Sequence, residues 1–144
     1  MIVRKMTIED YDTVYQLWTL CTGMGLNNID DSKEGIQKFL DRNPETCFVA
    51  VQDDIDGVIL SGHDGRRGYI YHTAVRPEYR NQGIGSKLVL ASMNALEELG
   101  ITKVALVAFE DNQAGNAFWE KQGFTARDDL VYRNKTINLA MRNF

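Results

Sequence analysis

Apolar positions recur along this chain with two periods, and the places where the period changes divide it into elements. Tyr11, Val14, Leu17, Trp18 and Cys21 fall at three- and four-residue intervals, which puts them on one face of a helix. Thr7 precedes that run as a cap, with Glu9 and Asp10 as first-turn carboxylates. Thr22 to Asn28 breaks the pattern with two glycines. A second helix follows, with Ile36, Phe39 and Leu40 on its inner face; Asp30, Asp31 or Ser32 caps it and Asn43-Pro44 ends it. From Cys47 the rhythm is that of strands. Cys47–Val51, Val58–Gly62 and Tyr69–Val75 are separated by short turns, which predicts an antiparallel meander, and Ile2–Met6 is a further short strand candidate.

The helical period returns at Leu88, Ala91, Ser92, Ala95, Leu96 and Leu99, and that helix ends at Gly100. Lys103–Phe109 is nearly continuous in apolar residues, which predicts a strand buried on both faces and parallel to its predecessor. A short helix from Gln113 to Gln122 stops at Gly123. Two last strands, around Phe124–Arg133 and Thr136–Met141, hinge at Asn134-Lys135, with Ile137, Leu139 and Met141 alternating. There is no repeat, linker or low-complexity stretch. The expected fold is one α/β domain spanning residues 1–144, a mixed, mostly antiparallel sheet with helices on both faces.

Composition narrows the function. A net charge of −4 argues against general nucleic-acid binding, which needs a basic field. No apolar run reaches the ~18–20 residues of a membrane span, and the N-terminus lacks a signal-peptide pattern, so no membrane partner and a cytoplasmic location are expected. Two cysteines and two histidines are too few for a zinc site, so no metal is expected, and Cys21 and Cys47 read as small buried hydrophobes.

The candidate chemistry lies between the Tyr69–Val75 strand and the helix that begins near Leu88. Here the chain runs Val75-Arg76-Pro77-Glu78-Tyr79-Arg80-Asn81-Gln82-Gly83-Ile84-Gly85-Ser86-Lys87. Glycines let backbone N–H groups approach a ligand, and a helix N-terminus offers unpaired donors with a partial positive charge. Strand, glycine loop, helix start and arginine together describe an anion site suited to phosphate or pyrophosphate. The dinucleotide fingerprint fails because Leu88 occupies its third glycine position. The P-loop fails because no glycine precedes Gly85 by five residues and Ser86-Lys87 is in the reverse order.

The remaining pattern, Val75-x-Pro77 followed by Arg80-x-x-Gly83-x-Gly85, resembles the pyrophosphate loop of the GNAT superfamily of acyl-CoA-dependent N-acetyltransferases. Asn112, Phe118, Trp119, Lys121, Gly123 and Phe124 resemble the second signature of that family, and the order of elements agrees over essentially the whole chain. The resemblance implies that the Tyr69–Val75 strand splays from Lys103–Phe109 as a central pair, with the pantetheine arm of acetyl-CoA added to its free edge near Ala74 and Val75. It further implies that Arg80, Asn81 and the N–H groups of Gln82, Gly83, Ile84, Gly85 and Ser86 take the pyrophosphate. Asn112 would bond the pantetheine amides, and an N–H near Val75 would stabilise the tetrahedral oxyanion.

The implied reaction is transfer of an acetyl group to a primary amine by direct attack in a ternary complex, on a small-molecule or peptide acceptor. The sequence departs from the family at Trp119, where many members carry a tyrosine proposed as general acid, because an indole N–H is not a usable proton source. Either the thiolate leaves unassisted or with help from water, or Tyr132 takes over as acid. The base candidates are Glu110 and His72. Asp30, Asp31, Asp128 and Asp129 suit a cationic acceptor but also suit helix-cap and turn roles. The alternative reading is a non-catalytic acyl-CoA-binding or regulatory module of the same fold. A homodimer is compatible with the resemblance, though no surface patch for one can be identified in the sequence.

Overall fold

The computed structural model describes residues 1–144 and builds them into five strands and four α-helices. The strands are β1 (Ile2–Lys5), β2 (Phe48–Val51), β3 (Ile55–His63), β4 (Gly68–Val75) and β5 (Val104–Ala105). The helices are α1 (Tyr11–Leu20), α2 (Lys33–Arg42), α3 (Ile84–Glu98) and α4 (Gln113–Lys121). The sheet order is β1-β2-β3-β4-β5; every pair is antiparallel except β4 with β5, which α3 joins by a crossover. This is the mixed, mostly antiparallel α/β sheet that the patterning predicts.

The two faces of the sheet bury separate cores. One holds Val14, Leu17 and Trp18 of α1, Ile36 and Leu40 of α2, and Val49, Val58, Leu60 and Ala74 of the strands. The other packs Ile84, Leu88 and Val89 of α3 on Ala50, Ile59 and Ile70. Gly57 lies under α3 because a Cβ there would meet Leu88 Cδ1 at 2.9 Å. Of the three capping candidates for α2, Ser32 does the work: its hydroxyl accepts from the Gly35 N–H at 3.0 Å. Cys47 is buried, as expected, and burial pushes its thiol up to about 12.

A register shift between Ile59 and Ser61 gives β4 one extra residue opposite β3. Ile70 therefore faces the α3 layer, while Ala74, four residues on, faces α1 and α2. Of the three residues between them, the consecutive Tyr71 and His72 both turn to the α1–α2 side: Tyr71 meets Phe39 of α2 edge-on at 5.5 Å, and His72 meets Trp18 of α1 at 5.0 Å.

Two expectations about the end of the chain need correction. The Lys103–Phe109 strand pairs only over Val104–Ala105, and of its residues only Val104 and Leu106 are half-buried, the rest being exposed, instead of all being buried on both faces. The final strands around Phe124–Arg133 and Thr136–Met141 are not formed, and residues 125–140 are exposed throughout. With nothing added outside β5, the splayed pair lies at the edge of the sheet and β5 is left short.

Asp10 ties β1 to the start of α1. Burial raises the energy of its carboxylate, but two hydrogen bonds from Arg4 at 2.8 Å and one from the Thr7 N–H at 2.9 Å outweigh that and hold it below the usual range. A depressed folded pKa means that the stabilisation is present above the unfolded pKa of ~3.9 and is lost as pH falls through the folded value. Asp10→Asn is expected to destabilise by about 1–2 kcal/mol at pH 7. Denaturant midpoints of wild type and variant should converge only as pH falls below the depressed folded pKa, where Asp10 is protonated in both states of the wild type.

Candidate active site

β4 and β5 pair only at Gly68↔Val104 and Tyr69↔Ala105. Beyond Tyr69 they diverge, while β4 stays paired to β3 as far as Val75. The edge of β4 from Tyr71 to Val75, including Ala74 and Val75, is therefore open to an added extended chain. A splay between these two strands is what the family resemblance implied.

The loop after β4 is held from below. Arg76 donates its backbone N–H to Asp56 O at 2.8 Å and its Nε to Asp56 Oδ1 at 3.0 Å, so this arginine is structural. Pro77–Tyr79 forms a single 3₁₀ turn, and the chain then passes through left-handed conformations at Asn81 (φ 63°) and Gly83 (φ 82°). The result is a row of donors. From Asn81 through Ser86 no backbone N–H has an acceptor in the protein; the first helical bond of α3 is Lys87 N–H to Gly83 O at 3.1 Å. Six consecutive unpaired N–H groups at the N-terminus of a 15-residue helix make an anion cradle. Arg80 beside them is exposed and forms no ion pair.

Gly85 has a different reason from Gly83. A Cβ at Gly83 would meet nothing within 4 Å, so only its positive φ calls for glycine, whereas a Cβ at Gly85 would strike Phe118 Cε1 at 2.9 Å. The second signature thus packs directly on the first. Phe118, Trp119 and Phe124 form an edge-to-face cluster with centroids 4.9 and 5.3 Å apart, and Gln122 Nε2 donates to Ser86 Oγ at 2.9 Å. Trp119, in the position of the missing tyrosine, is a packing residue here.

At the far end of the splay a cleft of about 580 Å³ opens between the α1–α2 connection and the start of α4. Thr22, Gly23, Phe109, Asp111, Asn112 and Gln113 line it. Asn112 caps α4, accepting from the Gly115 N–H at 3.0 Å through Oδ1, which leaves its Nδ2 as the donor near Gly23. Cys21 Sγ reaches Val75 O at 3.6 Å and so ties the end of α1 to the end of β4. Asp111 and Phe109 were not singled out in the sequence. Only their position just before the Asn112 cap marked them.

The catalytic candidates are not brought together. His72 bonds through Nε2 to Asp31 Oδ1 at 2.7 Å, and Asp31, buried, also accepts from the Asn27 N–H at 2.8 Å. Glu110 is exposed in the turn before α4, and its carboxylate has no partner. Tyr132 is exposed and its hydroxyl has no partner. It approaches Tyr69 and Tyr71, whose phenols are raised by burial first and by Tyr132 second. Asp30 is exposed near Tyr71, whereas Asp129 is paired with Arg127 at 2.8 Å.

Comparison with known proteins bears on this arrangement. The sequence profile described as the acetyltransferase (GNAT) family matches residues 11–124. An acetyltransferase of Sodalis glossinidius is 30% identical over 138 residues, covering 95% of this chain and 96% of its own. Another, from Photorhabdus laumondii, is 33% identical over 140 residues with the same coverage. Among solved structures, an aminoglycoside 6'-N-acetyltransferase from Acinetobacter baumannii superposes with a TM-score of 0.75 at 19% identity, over 95% of this chain and 99% of that one. The PaiA N-acetyltransferase of Thermoplasma acidophilum, solved with coenzyme A, gives 0.74 at 22% identity, over 88% and 91%. The structural likeness speaks for the fold and the family profile for kinship. On these grounds the chain belongs to the GNAT acetyltransferase family.

Proposed function

We propose that this protein transfers an acetyl group from acetyl-CoA to a primary amine by direct attack in a ternary complex. The observation that carries the reading is the row of unpaired N–H groups from Asn81 to Ser86, set at the end of a strand whose outer edge is free. In this reading the N–H groups of Gln82 to Ser86 and the Arg80 guanidinium hold the pyrophosphate. The pantetheine arm runs along β4 at Ala74 and Val75 as an extra strand, and Asn112 Nδ2 donates to one of its amides. A β4 N–H near Val75 polarises the thioester carbonyl and then holds the oxyanion, a role whose loss typically costs ~10²–10³ in rate.

An alkyl amine with a pKa of ~10.4 arrives protonated and must lose that proton before it attacks. His72 is a weak candidate for the task, since its Nε2 is bonded to the buried Asp31 and its ring packs on Trp18. Glu110 has a free carboxylate, and its neighbour Asp111 lines the cleft; we assign the base to Glu110, directly or through water. Once the C–S bond breaks, the leaving thiol, with a pKa of ~8.5, can depart as thiolate with protonation from water. The exposed, unpartnered hydroxyl of Tyr132 beside Tyr69 and Tyr71 favours that route over Tyr132 as acid. On the acceptor side, Asp30 and the half-exposed aromatic strip of Phe39, Tyr69 and Tyr71 favour a cationic amine.

Acetyl-CoA at ~100 times its dissociation constant should stabilise the folded protein by ~2.7 kcal/mol, read as a rise in melting temperature, while ATP and NAD give none. Gly85→Val should abolish that rise, because the side chain collides with Phe118 and shifts the loop. Gly83→Ala should lower stability by only about 1–2 kcal/mol, the strain of φ 82°. A rise with nucleotides and not with acetyl-CoA overturns the reading.

Turnover is followed as thiol release against a panel of mono-, di- and polyamines and lysine peptides. Glu110→Gln is expected to lower kcat by ~10² or more, with the KM for acetyl-CoA unchanged. Tyr132→Phe should retain turnover within about threefold; a loss of tenfold or more makes Tyr132 the acid. Acetyl-CoA binding without turnover on any amine selects the non-catalytic module.

A further inference from the structure

The connection between α1 and α2, residues 21–32, is tied to β4 near both of its ends. At one end Cys21 Sγ reaches Val75 O at 3.6 Å, a weak thiol contact; at the other His72 Nε2 meets Asp31 Oδ1 at 2.7 Å, a short bond to a carboxylate. Its remaining long-range backbone bonds, Asn28 N–H to Arg142 O and Phe144 N–H to Leu26 O, go to residues 142–144 and not to the sheet. Between the two ties lie Gly23 and Gly25, both at positive φ (75° and 66°), and Thr22 and Gly23 form one wall of the cleft before α4. The stronger tie therefore decides where that wall stands relative to β4. The strand end it faces is the reactive one. Val75 lies opposite Gly57, while the next residue, Arg76, donates its N–H to Asp56 O. In an antiparallel ladder this makes Gly57–Val75 a non-hydrogen-bonded pair, so the N–H and C=O of Val75 point away from β3, toward the splay.

The bond from His72 to Asp31 is built from several directions. Asp31 is 4% exposed; its Oδ2 takes the Asn27 N–H at 2.8 Å and its carbonyl takes the Tyr11 hydroxyl at 2.7 Å. A carboxylate only accepts, so His72 presents Nε2–H to it. His72 reaches Asp31 because of the extra residue in β4. Counted regularly from Ile70, which faces α3, position 72 would face α3 as well. The bulge turns it to the other side, where the fully buried Trp18 holds its ring edge-on. A buried ionisable pair adds little stability over an apolar pair of similar volume, so stability does not account for it. Position does: the bond fixes two segments that are 41 residues apart in sequence.

We propose that His72 and Asp31 are a positioning pair for acyl transfer. Their bond sets the α1–α2 connection at a fixed place over β4, and so registers the binding of the amine to the strand that holds the thioester. In this role neither residue touches the reacting atoms, and His72 carries no proton in the reaction. With the tie broken, the connection spends only a fraction of its time in place, and the apparent affinity for the amine falls by that fraction. Saturating amine restores the competent arrangement, and the acetyl-CoA contacts, on β4 and the anion loop, do not change. The consequence for the amine rests on the acyl-transfer reading. The tie itself does not.

His72→Phe keeps a ring against Trp18 and removes the donor. It should raise the KM for the amine at least tenfold, with kcat at saturating amine and the KM for acetyl-CoA each within threefold of wild type. His72→Gln returns an N–H toward Asp31 and should bring the amine KM back to within threefold of wild type. A rise of both KM values together marks a merely structural role and overturns the proposal. A kcat lowered tenfold or more in both variants makes His72 catalytic and overturns it too, as does an unchanged amine KM in His72→Phe. A second measurement needs neither variant nor turnover. The chain has two histidines, and a nitrogen-15 spectrum of the wild-type protein should show the Nε2 proton of His72 exchanging at least tenfold more slowly than in free imidazole. Exchange at the free rate overturns the tie. A wild type that turns over no amine removes the acyl-transfer reading, and that resonance alone then decides the tie; turnover with an amine KM indifferent to His72→Phe removes only the positioning pair.

Discussion

Two parallel strands cannot be joined by a tight turn, so β4 and β5 require a crossover, and α3 supplies it. A crossover that starts at the end of β4 must turn the chain sharply and begin a helix just outside the sheet. Its first-turn N–H groups then have no acceptor behind them. The divergence of β4 from β5 beyond Tyr69 leaves the neighbouring strand edge free as well. One topological necessity thus produces both the cradle for an anion and the slot for an extended chain, side by side.

The rest of the molecule holds that arrangement still. Asp56 fixes Arg76 at the start of the loop, Phe118 packs where Gly85 lacks a Cβ, and Gln122 reaches Ser86. On the opposite face the extra residue in β4 turns Tyr71 and His72 together toward α1 and α2. Ligand contacts assigned to the loop and to the strand therefore sit on a rigid frame, while the acceptor side is formed by connections and by an aromatic strip.

The loop was legible in the chain because its requirements are local. A left-handed turn, a close approach and a helix start each demand particular residues at fixed offsets, and Gly83, Gly85 and Asn112 meet those demands. The catalytic candidates were less legible. Glu110 and His72 look alike as titratable residues at strand positions near the gap between β4 and β5. Only packing distinguishes a histidine bonded to a buried aspartate from a carboxylate left free.

Local patterning determined the order of elements as far as α4, the core faces of the helices and the anion loop, since these follow from period, capping and glycine placement, whereas the splay was implied only by the family resemblance. The tertiary structure decided what depends on partners far away in sequence. A period-two pattern does not say which residue of β4 is the extra one, so the side taken by Tyr71 and His72 came from its pairing with β3. An alternating run does not say whether a neighbour exists to pair with it. For that reason Lys103–Phe109 and the segment after Phe124 carry strand patterns that the fold leaves largely unpaired.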